Sequence, residues 1–279
     1  MGTRAFRRWA FLASLPLVGA CAAPQIESQQ SLGHVGHMGT VICPADEGLK
    51  ILQVAPRSAA EKAGIKEGDI LTGYRGLDLA RPENRLELLW DIRNGEGKLL
   101  ELTLKRGGTS LTLKAAPTRK ELYPQDELSS ALRDEVETGR KVSVAIVVTL
   151  INHAAPELFK NAPALEAWKA GMKDSTGNLF EGLLLNKGLM RCGNYSVADR
   201  DKTKQVLEEL HFQMSGAVSP ETTRQLGKLV GASHLLFVSL TRFRQASGSY
   251  EDVITTRLVA VETGTVAASV RFRQTVQAK

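Results

Sequence analysis

The spacing of apolar residues changes several times along this chain, and each change predicts an element. Leu49, Ile51 and Val54 carry a strand over 49–54, which Pro56 ends because proline has no amide proton for a ladder. Ser58 is placed to cap a one-turn helix over 59–63, and Gly64 suits the left-handed position beyond it. Gly68-Asp69 makes a turn, and a second strand over 70–74 ends at Arg75-Gly76. A helix follows over 81–93, with Pro82 in its first turn and Gly95 past its end. Leu88 and Ile92 lie four apart and form a core stripe, while Leu86, Leu89 and Trp90 form a neighbouring one. Strands over 99–104 and 110–114 alternate around Gly107-Gly108, a hairpin that closes this unit near Ala116.

The pattern then changes. Residues 118–141 are charged, contain one short helix over 125–137, and read as a connector. The run 141–150 (KVSVAIVVTL) is continuously apolar and β-branched, as suits a strand buried on both faces. An irregular stretch over 151–171 carries Pro156 and Pro163, with a helix expected around 164–169. Leu179, Phe180, Leu183 and Leu184 make an amphipathic helix over 179–185. A strand over 195–200 runs into a helix over 202–210, for which Asp201 is the expected N-cap. Ser219-Pro220-Glu221 opens a further helix that ends at Gly231, and 234–242 is another strand. A hairpin over 252–261 and 266–272 turns at Glu262-Thr263-Gly264. Mixed α+β and α/β architecture follows.

Two sets of spaced residues carry resemblances. Pro56, Ser58, Ala60, Ala63-Gly64-Ile65, Gly68-Asp69, Ile70 or Leu71, and Gly76 fit a strand, short helix, Gly-Asp turn and strand in close succession. That stretch resembles the centre of a bacterial, HtrA-like PDZ domain, which implies a β-barrel-like domain over 33–117. In such domains a glycine loop and the strand after it receive an extended peptide, whose terminal carboxylate meets consecutive backbone amides. Here the resemblance assigns that role to Met38, Gly39, Thr40, Val41 and Ile42, with Leu86, Leu89 and Trp90 on the opposite wall. Thr40 departs from the pattern, since a bulky apolar residue is usual there, which favours internal or weak peptide binding over capture of a terminal carboxylate. The second set comprises Asp199-Arg200-Asp201, Val206-Leu207-Glu208-Glu209, Gln213, Ser215-Gly216, Leu226–Ala232 and Val261-Glu262-Thr263-Gly264. It resembles the CsgG superfamily, which includes envelope lipoproteins related to FlgO and LpoB. The resemblance implies a CsgG-like α/β domain over 141–279, joined through a linker over 118–140.

Composition adds an address. Of 36 basic residues, Arg4, Arg7 and Arg8 precede a ten-residue apolar run over 9–18, which is too short for a permanent membrane span. Leu17-Val18-Gly19-Ala20-Cys21 resembles a lipobox: 1–20 is a lipoprotein signal peptide, Cys21 the lipidation site, and 21–32 a flexible tether. Ala22 implies an outer-membrane, periplasm-facing anchor. Without 1–20, 33 basic residues face 30 acidic ones, a net +3 rather than +6, which gives no case for a nucleic-acid partner.

The expected chemistry is binding rather than catalysis. There is no Gly-x-Ser-x-Gly elbow, no phosphate loop follows the 141–150 strand, and no cofactor or metal is implied. His34 and His37 read as solvated loop residues, and His153, His211 and His234 as scattered core or surface residues. Asp199-Arg200-Asp201 reads as a cap with a local ion pair. Cys43 and Cys192 allow one intrachain disulfide in an oxidising compartment; free, buried cysteines are the plainer reading. The expectation is a non-enzymatic, lipid-anchored adaptor that takes a protein or peptide ligand in its groove and docks an envelope partner or a second copy of itself. A CsgG-type export pore, or a regulator of an envelope synthase or protease, is the alternative.

Overall fold

The chain first forms β1 (Gly33–His37), β2 (Thr40–Ala45), β3 (Gly48–Val54), α1 (Ala59–Lys62), β4 (Ile70–Tyr74), β5 (Leu77–Asp78), α2 (Pro82–Asn94), β6 (Leu100–Arg106) and β7 (Thr109–Ala115). The computed structural model describes residues 33–122, 124–153, 162–185, 187–209, 219–244 and 249–276; the expected signal peptide, Cys21, the tether, His211, Gln213, Ser215 and Gly216 lie outside them. Strands pair antiparallel in the order β2-β3-β4-β6-β7, with β5 on β4. Local chemistry explains the path. Ser58 Oγ accepts the Glu61 amide at 3.2 Å, and Gly64 takes φ +80° beyond the short helix. Gly48 cannot be replaced without movement, because a Cβ there would lie 2.0 Å from the Leu71 carbonyl oxygen. At the Gly-Asp turn, Asp69 accepts Arg106 Nε and Nη2 at 2.8 and 2.7 Å and the Lys66 amide at 2.8 Å. Burial pushes this carboxyl up, but those hydrogen bonds outweigh it and hold Asp69 below the ordinary carboxylate value. Leu49, Ile51, Leu71, Tyr74, Leu88, Leu100, Leu102 and Leu104 fill the core.

The second half comprises β8 (Thr118–Leu122), α3 (Pro124–Thr138), β9 (Val142–His153), α4 (Ala162–Leu184), α5 (Lys187–Met190), β10 (Tyr195–Val197), α6 (Arg200–Glu209), α7 (Pro220–Val230), β11 (His234–Arg244), β12 (Tyr250–Ala260) and β13 (Val266–Val276). The sheet runs β10-β9-β11-β12-β13; its first three strands are parallel and the last two antiparallel. β9 is covered on both faces, as its continuous apolar run requires. Val142, Val144 and Ile146 join the core beneath α3 and α4, while Ala145 and Val147 join Leu226 of α7 on the other face.

Several expectations change. The stretch over 151–171 is less irregular than its prolines suggested: β9 runs to His153, and a single 23-residue helix, α4, begins at Ala162. Asp199, not Asp201, caps α6, its Oδ1 accepting the Asp201 and Lys202 amides at 2.8 and 3.1 Å. The neighbouring arginine is no local ion pair, since Arg200 reaches across to Asn178, Glu181 and Asp174 of α4. His34 and His37 lie in a strand, β1, rather than a loop.

The segment expected as a connector is structural. β8 pairs antiparallel with β1, from Gly33 opposite Leu122 to His37 opposite Thr118. In α3, Leu128, Leu132 and Val136 recur every four residues, and all three are buried in the core of the second sheet. The reading of Cys43 and Cys192 as free thiols is also corrected: they form a disulfide, Cα–Cα 5.4 Å, across 149 residues of sequence. Cys43 is the middle of β2 and Cys192 follows α5, so the bridge joins the two halves. Around it, Arg191 hydrogen-bonds Gln53 at 3.3 Å and pairs with Glu67 at 3.6 Å.

Candidate functional site

β2 ends its sheet, with β3 on one side and no further strand of that sheet on the other. Met38 and Gly39 precede it, both buried; Gly39 takes φ +78°, and the two carbonyls accept the Ala60 and Ala55 amides at 3.0 and 2.7 Å. This fixes the loop against α1 before the strand begins. Gly36 allows β1 to touch the last turn of α2, since a Cβ there would fall 2.0 Å from the Ile92 carbonyl oxygen. The glycine loop is thus tied to α1, and β1 brings the last turn of α2 close to the start of β2.

The individual wall residues divide. Ile42 and Leu89 are buried in the core, Thr40 and Val41 are half-buried, and Leu86 and Trp90 face solvent at 53% and 69% exposure. Leu86, Leu89 and Trp90 share a cleft of about 360 Å³ with Glu87, Arg93 and Asp134. Asp134 belongs to α3, which the sequence reading did not place here.

α3 packs against both α2 and β2. Near the start of α2, buried Arg85 donates to Leu79 O at 2.7 Å, Ala80 O at 3.0 Å, Ala45 O at 3.2 Å and Thr138 O at 3.4 Å. Near its end, Arg93 contacts the Asp134 carboxylate and reaches Ser130 O at 3.5 Å. The two helices thus run antiparallel, with α3 alongside the edge strand. The signal was present in the sequence, in the four-residue recurrence of Leu128, Leu132 and Val136 within an otherwise charged stretch.

Charge is concentrated where α3 meets the N-terminal half. Burial pushes the Glu137 carboxyl up to about 8; Arg133 (3.9 Å) and Arg93 oppose this, and Asp134 adds to it. Burial also lowers His37 to about 4, helped by Lys120 and Arg133 and opposed by Asp126. With Glu137 raised from 4.5 to about 8, the folded state holds the extra proton between those values. Its contribution to stability therefore falls as pH rises from 4.5 to 8 and levels off above. Glu137→Gln should be nearly neutral at pH 4.5 and stabilising by on the order of 2 kcal/mol at pH 8.5. Urea unfolding at both pH values checks this, and identical pH profiles for the two proteins would refute the assignment.

Elsewhere, His234 has structural partners. Buried His234 meets Glu135 Oε1 at 3.2 Å through Nε2 and Ser233 Oγ at 3.0 Å through Nδ1. Among the described residues, no three His, Cys, Asp or Glu side chains gather as a metal site, and no helix is long and apolar enough to cross a membrane.

Residues 129–251 match the family model described as curli production assembly/transport component CsgG, a match that begins inside α3. Over 71 residues the chain is 39% identical to the Haemophilus influenzae protein named probable periplasmic serine protease do/HhoA-like, covering 25% of this chain and 15% of that protein. The chain spans a quarter or less of the curated relatives it matches, 15% and 25%. Among solved structures, the HtrA3 PDZ domain bound to a phage-derived ligand (FGRWV) aligns at 22% identity and TM-score 0.28, over 32% of this chain and 90% of that one. The LpoB C-terminal domain from Salmonella enterica aligns at 15% identity and TM-score 0.31, over 55% of this chain and 95% of that one.

Proposed function

We propose that the chain joins a PDZ domain of the HtrA type to a CsgG-like domain and works as a non-catalytic, lipid-anchored adaptor of the cell envelope, a reading supported by the family match over residues 129–251 and the 39% identity to the protease-named relative over 71 residues. The PDZ domain takes an extended peptide along β2, and the CsgG-family domain docks an envelope partner or a second copy of the chain. The observation that carries this is the edge strand β2, with a glycine loop at one end and α2 opposite. Extended peptides add to such an edge through main-chain hydrogen bonds, and side-chain pockets select among them. What the chain shares with the protease-named relative covers 15% of that protein. An interdomain disulfide fits an oxidising compartment outside the cytoplasm. The lipobox-like stretch before Cys21 supplies the anchor, and Ala22 favours the outer membrane.

The hairpin β12–β13 supports docking over a pore. Ile254, Leu258, Ala268, Val270 and Phe272 from its two strands are buried in the sheet's core, leaving that face no lipid to meet.

The test uses the mature chain and a library of extended apolar peptides, with free and blocked C-termini, at up to hundreds of micromolar. Wild-type protein should bind a subset, and Val41→Glu should weaken that binding about tenfold or more while leaving the fold intact, because it places a charge on the accepting edge. Mass spectrometry of the same preparation from membranes should find diacylglycerol on Cys21. Loss of neither binding nor membrane attachment in Val41→Glu and Cys21→Ser respectively would refute the adaptor reading.

A further inference from the structure

We propose that α3 is a built-in cover for the peptide groove, and that the groove opens by the N-terminal half, β2 and α2 together, swinging away from α3 about the Cys43–Cys192 bridge. This rests on the reading of β2 and α2 as a peptide site. The two sides of α3 are unequal. Towards the second sheet it presents Leu128, Leu132 and Val136, all buried, so this side stays put. Towards α2 it presents Ser130, Asp134 and Thr138, which meet Arg93 and Arg85. The Arg93 and Asp134 side chains are 26% and 33% exposed, the setting in which an ion pair adds little stability. The fit on this side is also incomplete. Asp134 Oδ1 is buried with no hydrogen-bond partner, and opening would return that oxygen to water.

The geometry of the cover matches the groove. Along α2 the contacts run from Arg85 with Thr138 to Arg93 with Ser130, nearly the length of the helix. At the near end, Asp126 and Arg133 of α3 act on His37, just before the glycine loop. At the far end, Arg85 ties Ala45, the last residue of β2, and Thr138 to one guanidinium. α3 also packs against β2, the terminal strand to which a peptide strand would add. The disulfide does not cross the α2–α3 contact; it sits on β2 itself, so it lets that contact part while keeping the halves together. Peptide then competes with α3, and the measured affinity is the intrinsic one multiplied by the open fraction.

The experiment uses the mature chain with its disulfide intact, in three forms: wild type, Arg93→Glu, and the charge-swapped Arg93→Glu with Asp134→Arg. Two quantities are read, hydrogen exchange of the amides over 40–45 and affinity for a labelled FGRWV pentapeptide alongside the pooled apolar peptides. Arg93→Glu should exchange faster at β2 and bind peptide about tenfold tighter, and the swapped form should return towards wild type on both. Equal exchange and equal affinity in all three forms overturns the cover. Faster exchange in Arg93→Glu with no peptide bound by any form upholds the cover and overturns the peptide reading instead.

Discussion

Replacing Cys43 and Cys192 together with serine should lower the unfolding free energy by about 5 kcal/mol, the chain-entropy figure for so long a closed loop. The closed loop is long, 149 residues of separation, and an open chain of that length has far more freedom than the bridged one. Both cysteines are buried, so the serine hydroxyls also enter a dry site and lose their water. The loss falls on the junction between the halves. Two separated transitions should replace a joint one, the first shifted down by roughly 10 °C or more. Urea and thermal unfolding of wild type with and without a dithiol provide the control, since reduced wild type should behave like the double variant and the variant should ignore the dithiol. Coincident curves for all four samples would show that the bridge contributes nothing to stability.

Asp252→Ala should cost about 3–5 kcal/mol, because it removes a bidentate carboxylate from a buried guanidinium. Arg242 on β11 and Asp252 on β12 face each other across the ladder, and Nε and Nη2 donate to the two carboxylate oxygens at 2.6 and 2.7 Å. Their side chains are 9% and 0% exposed. The guanidinium also lies over the rings of Trp168 and Tyr250, at 5.5 and 5.9 Å from their centroids. The pair binds α4 to the sheet's far strands as well as β11 to β12. Removing both charges, as Arg242→Met with Asp252→Leu, should recover most of the loss, since apolar residues of similar volume avoid the desolvation cost. Chemical denaturation of the single and double variants decides it; a double variant no better than the single would mean the pair's worth lies in more than mutual compensation.

What could be read in advance was what lies close in sequence. Ser58, Gly64 and the Gly68-Asp69 turn act over three or four residues, so their residue types dictate the backbone directly. The β9 run was legible because covering both faces of a strand demands an uninterrupted apolar sequence. What failed was non-local. α4 looked like separate pieces partly because Gly171, Gly177 and Gly182 weaken any helical signal. Gly177 is there for a distant reason: a Cβ would lie 2.5 Å from the Arg200 guanidinium. α3 looked like a connector because charge dominates its composition, although its apolar stripe is regular. The glycine loop, β2 and α2 could each be placed by pattern. The cover over them could not, since it depends on contacts such as Arg85 with Thr138, 53 residues apart.

The bridge has a consequence for how the chain is made. The sequence contains three cysteines, and the disulfide takes two of them. As the chain is made, residue 43 emerges well before residue 192, so its thiol must wait for a partner through about half of synthesis. The nearer thiol is Cys21, only 22 positions away (43 minus 21) and the first to meet an oxidant. If Cys21 carries the lipid, its sulfur is already bound as a thioether and cannot take part. The anchoring reaction then also chaperones the pairing, because a chain left with two thiols has only one way to oxidise. A Cys21→Ser chain would reach the correct bridge equally well, whereas wild type that escapes acylation would be the form prone to scrambling.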